Sequence, residues 1–414
     1  MSDAREFAIV LWGATGFTGK LTAEYLLARY GVDRSFPWAM AGRNRGKLEQ
    51  TRDDIASSTG TASEALPILV GDGDDETFLA DLAAKTRVVC TTVGPYALYG
   101  SKLVAACATA GTHYCDLTGE VPWMARMIAA HHDAAVASGA RIVFTCGFDC
   151  IPADIGAFFL NEEMRRRHGV PCSHVKYRVN GFSGGASGGT IASMMHLMEE
   201  ASADPSVMEE MRQPYALNPA DEQQGPDSPE PVMPSYDPDF DQWTAPFVMG
   251  AVDTKVVRRA NALLDHAYGR DFRYDEAVLC GDGATGFAKA TASALGPALA
   301  MGTMSLGPLR RFAAGRLPQP GEGPSRETRE AGYFDVRLLG HHPTDPGASL
   351  KARIHGDRDP GYGSTSKMLG ESAVCLALDD LPARGGCLTP ASAMGHALLE
   401  RLPQNAGVTF DLES

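Results

Sequence analysis

The sequence predicts an α/β fold, with an N-terminal doubly wound parallel sheet followed by a second α+β domain. Three observations indicate this fold class. Strand-like and helix-like segments alternate over the first part of the chain, as in a parallel sheet with helices on both faces. A glycine-rich turn joins the first strand to the first helix. Beyond Cys172 the residues alternate in the way typical of antiparallel strands.

The first domain is predicted over residues 1–170 and contains six apolar segments that are typical of buried strands. We expect these strands at 7–12, 38–41, 66–70, 87–93, 113–117 and 141–145. Helical patterns separate them, at 18–30, 44–58, 76–84, 101–110 and 123–137. This repeated order of strand, helix and strand predicts a six-stranded sheet of the Rossmann type.

The second domain is predicted over residues 171–365 and is expected to serve substrate binding or dimerisation. Its strand signals lie at 173–182, 277–280, 333–339 and 350–355. Residues 214–246 contain eight prolines and many acidic residues, which indicates a long loop rather than a core element. Residues 366–414 are expected to form helices that pack back on the first domain.

Charge and cysteine content exclude several classes of protein. The net charge of −14 leaves no basic footprint for nucleic acid, and an acidic surface mainly favours solubility. The nine cysteines are scattered without the paired spacing of zinc sites, which indicates a reducing compartment. The N-terminus lacks the basic start and apolar stretch of a signal peptide. We therefore expect a cytoplasmic protein.

One uncharged run, at residues 290–309, approaches the length of a membrane-spanning helix. Its glycines, prolines and small polar residues make it too weakly apolar for insertion. We expect a helical hairpin that is buried or faces lipid, with at most peripheral membrane contact.

The strongest signal for function is the turn after the first strand. It comprises Gly13, Ala14, Thr15, Gly16, Phe17, Thr18 and Gly19. The GxxGxxG spacing is a variant of the dinucleotide fingerprint. The first glycine permits the tight turn, the second lets the backbone approach the pyrophosphate, and the third allows close packing of helix on strand. Such turns also join strands to helices without a ligand, but the flanking elements here favour a dinucleotide site.

The end of the second strand indicates which dinucleotide is bound. Folds that select NAD place an acidic residue there to hold the ribose 2′-hydroxyl. This chain instead has Arg43, Arg45 and Lys47. Arg43 is the main candidate for pairing with a 2′-phosphate, with Lys47 or Arg45 assisting. The alternative is that these cations only begin a solvated helix; we favour NADP(H).

The fourth strand ends at Val93, Gly94 and Pro95. Ligands of doubly wound sheets cross the carboxyl ends of the strands. These three residues are therefore expected beside the ribose and nicotinamide of the cofactor.

An ordered set of motifs extends over nearly the whole chain. It comprises GATGFTG, AGR followed by KL, TTVGPYALYG, HYCDLTGE, CGFDCIPADIG, SGGT and GGCLTPASAMG. Together these motifs resemble the saccharopine dehydrogenase-like oxidoreductases, most closely the trans-acting enoyl reductase branch. The resemblance implies a Rossmann domain, a substrate domain and a nicotinamide cofactor. For this branch it also implies reduction of a double bond in a polyketide or lipid intermediate on a carrier protein.

Enoyl reduction needs a hydride, a hydrogen bond to the developing enolate oxygen and a proton at the α-carbon. Tyr96 is the first candidate for that hydrogen bond, with Tyr99 a weaker one; the alternative for Tyr96 is packing beside the nicotinamide. Asp149 is a candidate proton carrier or substrate anchor, or else the N-cap of the helix after Pro152. Asp116 and Glu120 are further residues expected near the cleft. No group of residues has convincing metal-ligand spacing, so no metal is expected.

Two glycine-rich turns in the second domain, at 183–190 and 361–365, are weaker candidates for substrate contact, and Tyr362 lies in the second. A competing function is a C–N oxidoreductase, whose carboxylate-rich substrate needs converging arginines. The pairs 258–259 and 310–311 are available, but their surroundings predict solvated side chains. A third alternative is a sensor that binds the cofactor without turnover. A homodimer is expected only because homodimers are common.

Overall fold

The computed structural model describes residues 5–32, 36–184, 188–304 and 322–413. The strands are β1 (Phe7–Trp12), β2 (Trp38–Gly42), β3 (Ile68–Val70), β4 (Thr86–Thr91), β5 (His113–Cys115), β6 (Arg141–Val143), β7 (His174–Ser183), β8 (Ser235–Asp237), β9 (Gln242–Pro246), β10 (Arg273–Leu279), β11 (Tyr333–His341), β12 (Leu350–Gly356), β13 (Gly386–Leu388) and β14 (Val408–Leu412). The helices are α1 (Phe17–Tyr30), α2 (Arg45–Thr59), α3 (Glu76–Lys85), α4 (Tyr96–Tyr99), α5 (Ser101–Ala110), α6 (Val121–Ser138), α7 (Ile151–His168), α8 (Gly188–Ala203), α9 (Pro205–Arg212), α10 (Gly250–Leu263), α11 (Gly283–Met304), α12 (Arg326–Ala331), α13 (Thr365–Leu378) and α14 (Pro390–Arg401). Single helical turns lie at Pro346–Ala348, Pro360–Ser364 and Leu402–Ala406.

The first sheet is entirely parallel, with the strand order β13-β6-β5-β4-β1-β2-β3. The predicted α/β fold class is confirmed. Residues of β1, β2 and β4 are buried almost throughout, as expected for strands covered by helices on both faces. The chain reverses its direction of strand addition between β1 and β4, and this is where a doubly wound sheet opens a crevice for ligands.

The second sheet is mixed, with the order β14-β12-β11-β7-β10-β9-β8. Strands β7 and β10 run parallel, whereas every other neighbouring pair is antiparallel. Helix α7 leaves the first sheet and packs on β11 and β12 of the second. The approach is close: a Cβ added to Gly156 would lie 2.6 Å from Cδ1 of Ile354. The two sheets are therefore joined through a shared, fully packed helix.

Four strands were not predicted. β13 adds a seventh strand beside β6, and β14 closes one edge of the second sheet. The prediction that residues 214–246 contain no core element is wrong for β8 and β9, which pair with each other and with β10. β8 is the edge strand, and β9 lies between it and β10. Pro246, the one proline within these two strands, is the last residue of β9.

The C-terminal helices rest on the first sheet. Helix α13 contacts α1, β1 and β4. Its Glu371 is fully buried and accepts hydrogen bonds from the hydroxyls of Tyr25 (2.7 Å) and Tyr30 (2.5 Å). Arg401 and the Asn405 amide donate to the other carboxylate oxygen, each over 3.1 Å. All donors surround one buried carboxylate, so this cluster ties the last helices to α1.

Helix α11 covers the first part of the uncharged run and packs on β9, with the rings of Phe287 and Trp243 4.8 Å apart. Its Gly296 and Pro297 lie inside one continuous helix. The second half of the predicted hairpin, from residue 305, lies outside the described residues. In the described part of the chain, every helix is too short or too polar to cross a membrane.

Candidate functional site

The glycine turn lies at the carboxyl end of β1, as the sequence predicts. Gly13 has a φ of 90°, which L side chains rarely adopt. A Cβ on Gly19 would lie 2.1 Å from the Gly13 carbonyl oxygen, so helix α1 can approach the turn only with glycine there. The Thr92 hydroxyl donates to that carbonyl over 3.2 Å and ties the turn to the strand beside it. Each glycine thus has the structural role expected of a dinucleotide turn.

The tip of the turn can hold phosphate groups. Thr15 and Gly16 are exposed, and Gly16 is the N-cap of α1 without a side chain that accepts from its first turn. Backbone N–H groups at a helix N-terminus favour anions through both hydrogen bonding and the helix dipole. The buried Ala14 and the close approach of Gly19 leave the backbone as the contacting surface. The arrangement fits a pyrophosphate.

Cations lie at the end of β2, where a dinucleotide places its adenosine ribose. Arg43 and Lys47 are exposed, and neither has an ion-pair partner within the described ranges. The Asn44 side chain accepts from the Lys47 N–H over 3.0 Å and begins α2, which leaves the Arg43 guanidinium outside the helix. Arg45 instead faces Glu49 at 3.8 Å. Arg43 and Lys47, neither paired with a carboxylate in the part of the chain that the structure describes, fit a 2′-phosphate.

Two residues from the second half of the chain, Arg329 and Tyr362, cover the glycine turn, and no local sequence pattern predicts this. The Arg329 guanidinium lies over the Phe17 ring, 5.5 Å from its centroid, and the Tyr362 ring meets Phe17 edge-on at 5.2 Å. Asp359 joins the two covering segments: its N–H donates to the Arg329 carbonyl (3.1 Å), and its carboxylate accepts from the Tyr362 N–H (3.0 Å). Arg329 therefore brings an additional positive charge to the phosphate end of the site. No local motif marks it, because it reaches α1 only through tertiary packing.

The end of β4 adjoins the glycine turn, as predicted. A Cβ on Gly13 would lie 2.5 Å from Cγ2 of Val93, and Gly94 is exposed beside it. Pro95 begins helix α4. The Ser193 hydroxyl of α8 lies 3.4 Å from the position of a Cβ on Gly94, so α8 lies across this end of the crevice. These contacts place Val93, Gly94 and Pro95 where a nicotinamide ribose would pass.

Glu120 organises the loop after β4. Its carboxylate accepts from the backbone N–H groups of Tyr96 (2.9 Å) and Ala97 (2.8 Å), and from the Ser193 hydroxyl (3.1 Å). Its side chain is nearly fully buried. Glu120, which the sequence predicts near the cleft, thus holds three elements together.

Tyr96 faces the core instead of the crevice. Its hydroxyl donates to the Thr91 carbonyl (3.3 Å) and accepts from the Leu117 N–H (3.4 Å), while its ring packs on Trp123 at 5.5 Å. Burial, together with the charge of Asp116, raises the pKa of Tyr96 well above its usual value. The catalytic role stays a prediction, and it requires the hydroxyl to leave both partners. The alternative of packing beside the nicotinamide also stays a prediction. Tyr99, by contrast, is exposed.

Asp149 lies in the turn after β6, at the same edge of the sheet. It is not the helix cap, because α7 begins after Cys150 and has no side-chain cap. Asp149 as a whole residue is partly exposed; Oδ2 of its carboxyl lies 3.9 Å from the position of a Cβ on Gly119, and the carboxyl forms no hydrogen bond with the described residues. Burial raises the pKa of Asp149 to about 6. A carboxyl of this kind can carry a proton near neutral pH.

Asp116 has a structural role. It is fully buried and accepts from the Tyr114 hydroxyl (2.7 Å), the Thr118 N–H (3.1 Å) and the Thr145 N–H (3.0 Å). Burial raises the pKa of Asp116 to about 7, although these hydrogen bonds oppose the change. It joins the loops that follow β5 and β6 and thereby supports the turn that carries Asp149.

The prediction that Arg258 and Arg259 are solvated is wrong, because both are at least 96% buried. Residues of the proline-rich segment cover them: Arg258 pairs with Asp227 at 2.6 Å and with Glu230 at 3.0 Å. Arg259 donates to the carbonyls of Leu217 and Cys387. These arginines hold the covering segment in place and are not available to a carboxylate-rich substrate. The pair 310–311 lies outside the described residues.

A cavity of about 220 Å³ lies under the proline-rich segment. All of its lining residues come from this segment and the second sheet, so it is separate from the crevice of the first sheet. In the described part of the chain, no three His, Cys, Asp or Glu residues could together hold a metal ion. The glycine turn at 183–190 includes residues 185–187, which lie outside the described residues.

Comparisons with known proteins agree with this geometry. A model of the saccharopine dehydrogenase NADP-binding domain matches residues 9–143. A provisionally named trans-acting enoyl reductase of Mycobacterium tuberculosis is 43% identical over 417 residues, which cover 98% of this chain and 97% of that protein. The trans-acting enoyl reductase of Mycobacterium ulcerans is 40% identical over 425 residues, 99% of this chain and 98% of the relative. Apo saccharopine dehydrogenase (L-Glu forming) from Saccharomyces cerevisiae has a similar fold, with a TM-score of 0.53 at 13% identity, over 98% of this chain and 99% of that one.

Proposed function

Because this chain belongs to the family of trans-acting enoyl reductases and is an NADP-dependent oxidoreductase, we propose that it reduces the C=C bond of an enoyl thioester. The observation that carries the proposal is the position of Asp149. This partly exposed residue, whose buried carboxyl has a raised pKa, follows β6 at the same sheet edge as the dinucleotide turn. Reduction of an activated C=C bond needs these two components together: a hydride source and a proton source.

The glycine turn, Arg43 and Lys47 would hold the dinucleotide, with its pyrophosphate at the N-terminus of α1 and its 2′-phosphate at the end of β2. Arg329 adds charge above the same turn. When bound, NADPH supplies the hydride that the β-carbon of the substrate receives. The residues at 93–95 direct the nicotinamide half toward the end of β4.

Asp149 has the chemistry to complete the reduction. As the β-carbon gains hydride, negative charge develops on the α-carbon and on the thioester oxygen. The protonated carboxyl of Asp149 gives its proton to the α-carbon and becomes a carboxylate. Its raised pKa keeps a useful fraction protonated near neutral pH, whereas an ordinary aspartate would be ionised.

We infer that the substrate is an acyl or polyketide chain on a carrier protein; the name of the relatives, trans-acting enoyl reductase, gives the enoyl group for those proteins. Exposed apolar side chains on the elements beside the crevice support an acyl substrate: Leu98, Tyr99 and Met195. Nine free thiols, eight of them buried, support a reducing compartment such as the cytoplasm.

The proposal is tested by following NADPH oxidation with a panel of enoyl thioesters on coenzyme A and on a pantetheine-loaded carrier. We expect turnover with NADPH and much slower turnover with NADH. Imine substrates of the saccharopine type serve as controls, because the burial of Arg258 and Arg259 makes that arginine pair unavailable to them. Turnover with imines alone would show that the protein is a C–N oxidoreductase. Tight NADPH binding without turnover of any thioester would support the sensor alternative.

A further inference from the structure

The turn that carries Asp149 is held by a residue from the end of the chain. The Asp149 carboxyl forms no hydrogen bond with the described residues, so the backbone of its turn sets its position. Within that turn, the Phe148 N–H donates to the hydroxyl oxygen of Thr365 over 2.9 Å. A Cβ added to Gly147 would lie 3.1 Å from Cγ2 of Thr365, so the two backbones also approach closely. Thr365 is the first residue of α13 and lies 217 residues beyond Phe148.

The Thr365 hydroxyl joins this turn to the segment that precedes α13. It donates a hydrogen bond to the Pro360 carbonyl over 2.8 Å. Thr365 and Phe148 are both buried, so water does not compete for these hydrogen bonds. A buried hydroxyl that accepts one hydrogen bond and donates another is costly to leave unpaired, and it therefore keeps its two partners at a fixed separation. The turn of Asp149 is thereby tied to Pro360.

The segment of residues 359–365, which we call the strap, has a network of its own. Asp359 is fully buried, and its two carboxylate oxygens accept from the N–H groups of Tyr362 (3.0 Å) and Gly363 (2.8 Å). The Asp359 carbonyl accepts from the Ser364 N–H over 2.9 Å. A Cβ added to Gly332 would lie 2.5 Å from Cα of Asp359, so a second segment packs directly on the strap. These contacts leave the strap little room to bend, and a constraint at one end is therefore transmitted to the other.

The other end of the strap reaches the dinucleotide turn. The Tyr362 ring meets the Phe17 ring edge-on, with 5.2 Å between their centroids. Phe17 is the first residue of α1, whose N-terminus is the expected place of the pyrophosphate. The first N–H of the strap donates to the Arg329 carbonyl, and the Arg329 guanidinium lies over the same Phe17 ring. One continuous segment therefore contacts both the start of the phosphate-binding helix and the turn of Asp149.

We propose that the strap couples cofactor binding to the proton donor, with Thr365 as the positioning residue for Asp149. When the dinucleotide turn is occupied, Phe17 loses freedom, and the strap carries this constraint to Thr365. The Thr365 hydroxyl then fixes the turn of Asp149 at the sheet edge where the hydride is delivered. Thr365 takes no part in the chemical step, because its hydroxyl is engaged by two backbone groups. This inference rests on the proposed function and deepens it.

The alternative is that the contacts of Thr365 only stabilise the fold, and a matched control separates the two roles. Thr254 on α10 is fully buried. Its hydroxyl likewise donates to a carbonyl, that of Gly250 (2.7 Å), and accepts from Nη1 of Arg258 (3.2 Å). Both partners lie outside the strap and outside the turn of Asp149. Thr254→Val therefore removes an equivalent pair of hydrogen bonds without breaking the proposed connection.

The coupling is tested by hydrogen–deuterium exchange, measured by mass spectrometry on peptides that span residues 146–150. We expect saturating NADPH to slow exchange there at least about fivefold in the wild type and in Thr365→Ser, which keeps the hydroxyl. Thr365→Val and Tyr362→Leu interrupt the strap at its two ends, so both should lose this protection, whereas Thr254→Val should keep it. Protection that persists in either of those two variants, or that is absent from the wild type, overturns the coupling.

The positioning role is tested in turnover with an enoyl thioester. Thr365→Val should lower kcat at least about tenfold while the Kd for NADPH stays within about threefold, because the turn of Asp149 is released and the dinucleotide turn is not. Thr365→Ser should restore kcat to within about threefold of the wild type. A kcat of Thr365→Val that is no lower than that of Thr254→Val overturns the positioning role. A wild type that reduces no thioester defeats the proposed function, while the exchange experiment still decides separately whether the strap couples the two turns.

Discussion

The guanidinium of Arg329 lies over the ring of Phe17, with 5.5 Å between Cζ and the ring centroid. Phe17 is the first residue of α1, directly after Gly16, so this cation from the second half of the chain stands above the phosphate-binding end of the helix. One of its N–H groups donates to the Pro324 carbonyl over 2.6 Å. A guanidinium has five N–H donors, so further donors remain for an anion.

We therefore expect Arg329→Gln to weaken NADPH binding by about tenfold, the effect of losing one charge-assisted contact. Fluorescence titration of NADPH measures this directly. Arg326→Gln is the control, because Arg326 is exposed on the same helix and faces Glu24 and Glu330 instead of the turn. Equal affinities of the two variants would show that Arg329 only packs on Phe17.

Arg43→Ala should change the choice of cofactor. Loss of the contact to a 2′-phosphate costs about 2 kcal/mol, so the preference for NADPH over NADH should fall roughly thirtyfold. Affinity for NADH should stay nearly constant, since NADH has no 2′-phosphate. Arg45→Ala provides the comparison, because Arg45 faces Glu49 at 3.8 Å. If Arg45→Ala alters the preference more than Arg43→Ala, the assignment of the main cation is incorrect.

Gly19→Ala should destabilise the fold far more than Gly16→Ala. The added methyl group at position 19 would lie 2.1 Å from a backbone oxygen, whereas at position 16 the nearest atom is 3.4 Å away. Overpacking of this kind costs about 1–3 kcal/mol. Thermal unfolding of the cofactor-free proteins measures the difference. Similar melting temperatures for the two variants would mean that α1 can shift away from the turn.

Tyr96→Phe separates packing from catalysis. Removing the hydroxyl leaves the Thr91 carbonyl and the Leu117 N–H without their partner, so we expect stability to fall by about 1 kcal/mol. We expect kcat to change less than about tenfold, since the hydroxyl faces the core. A loss of kcat beyond roughly a hundredfold at unchanged stability would instead support the catalytic role predicted for Tyr96.

Asp149 should make both rate and stability depend on pH. Because the protonated carboxyl is the active form, kcat should fall as the pH rises above about 6. Asp149→Asn should abolish this pH dependence together with most of the activity.

The raised pKa of Asp149 also means that the folded protein holds this proton more tightly than the unfolded chain does. The stabilisation is complete at low pH and is lost as the pH rises through about 6. At pH 8 the Asp149→Asn protein should therefore melt at a higher temperature than the wild type. A lower melting temperature would contradict the burial of an unpaired carboxyl.

Much of the first sheet is predictable because its signals are local. β1, β2 and β4 are continuous apolar runs, and the glycine turn is marked by spacing alone. β13 has only three residues between glycines and a helix cap, and nothing nearby indicates that it pairs with β6. Its placement depends on contacts distant in sequence.

The residues of the candidate site also fall into two groups: those with a local sequence signal and those placed by contacts distant in sequence. The residues that touch the cofactor through backbone or strand ends follow from their position after β1, β2 and β4. The direction of the Tyr96 side chain does not, since one residue after a strand can turn either into the crevice or into the core. Arg258 and Arg259 have an ordinary helical pattern, and their burial follows only when the proline-rich segment folds over them. Arg329 contacts α1 only through the packing of the second domain, so no local sequence pattern predicts this contact.

The pairing of β13 with β6 makes the cofactor domain a product of both ends of the chain. The ribosome delivers β1 to β6 first and β13 only after more than half of the chain has followed. Until then β6 is an unpaired strand edge, open to pairing with other nascent chains. A stop codon late in the gene would therefore remove β13 and leave the sheet of the dinucleotide domain incomplete, in addition to shortening the C-terminus. The first sheet can therefore be completed only after synthesis has reached β13.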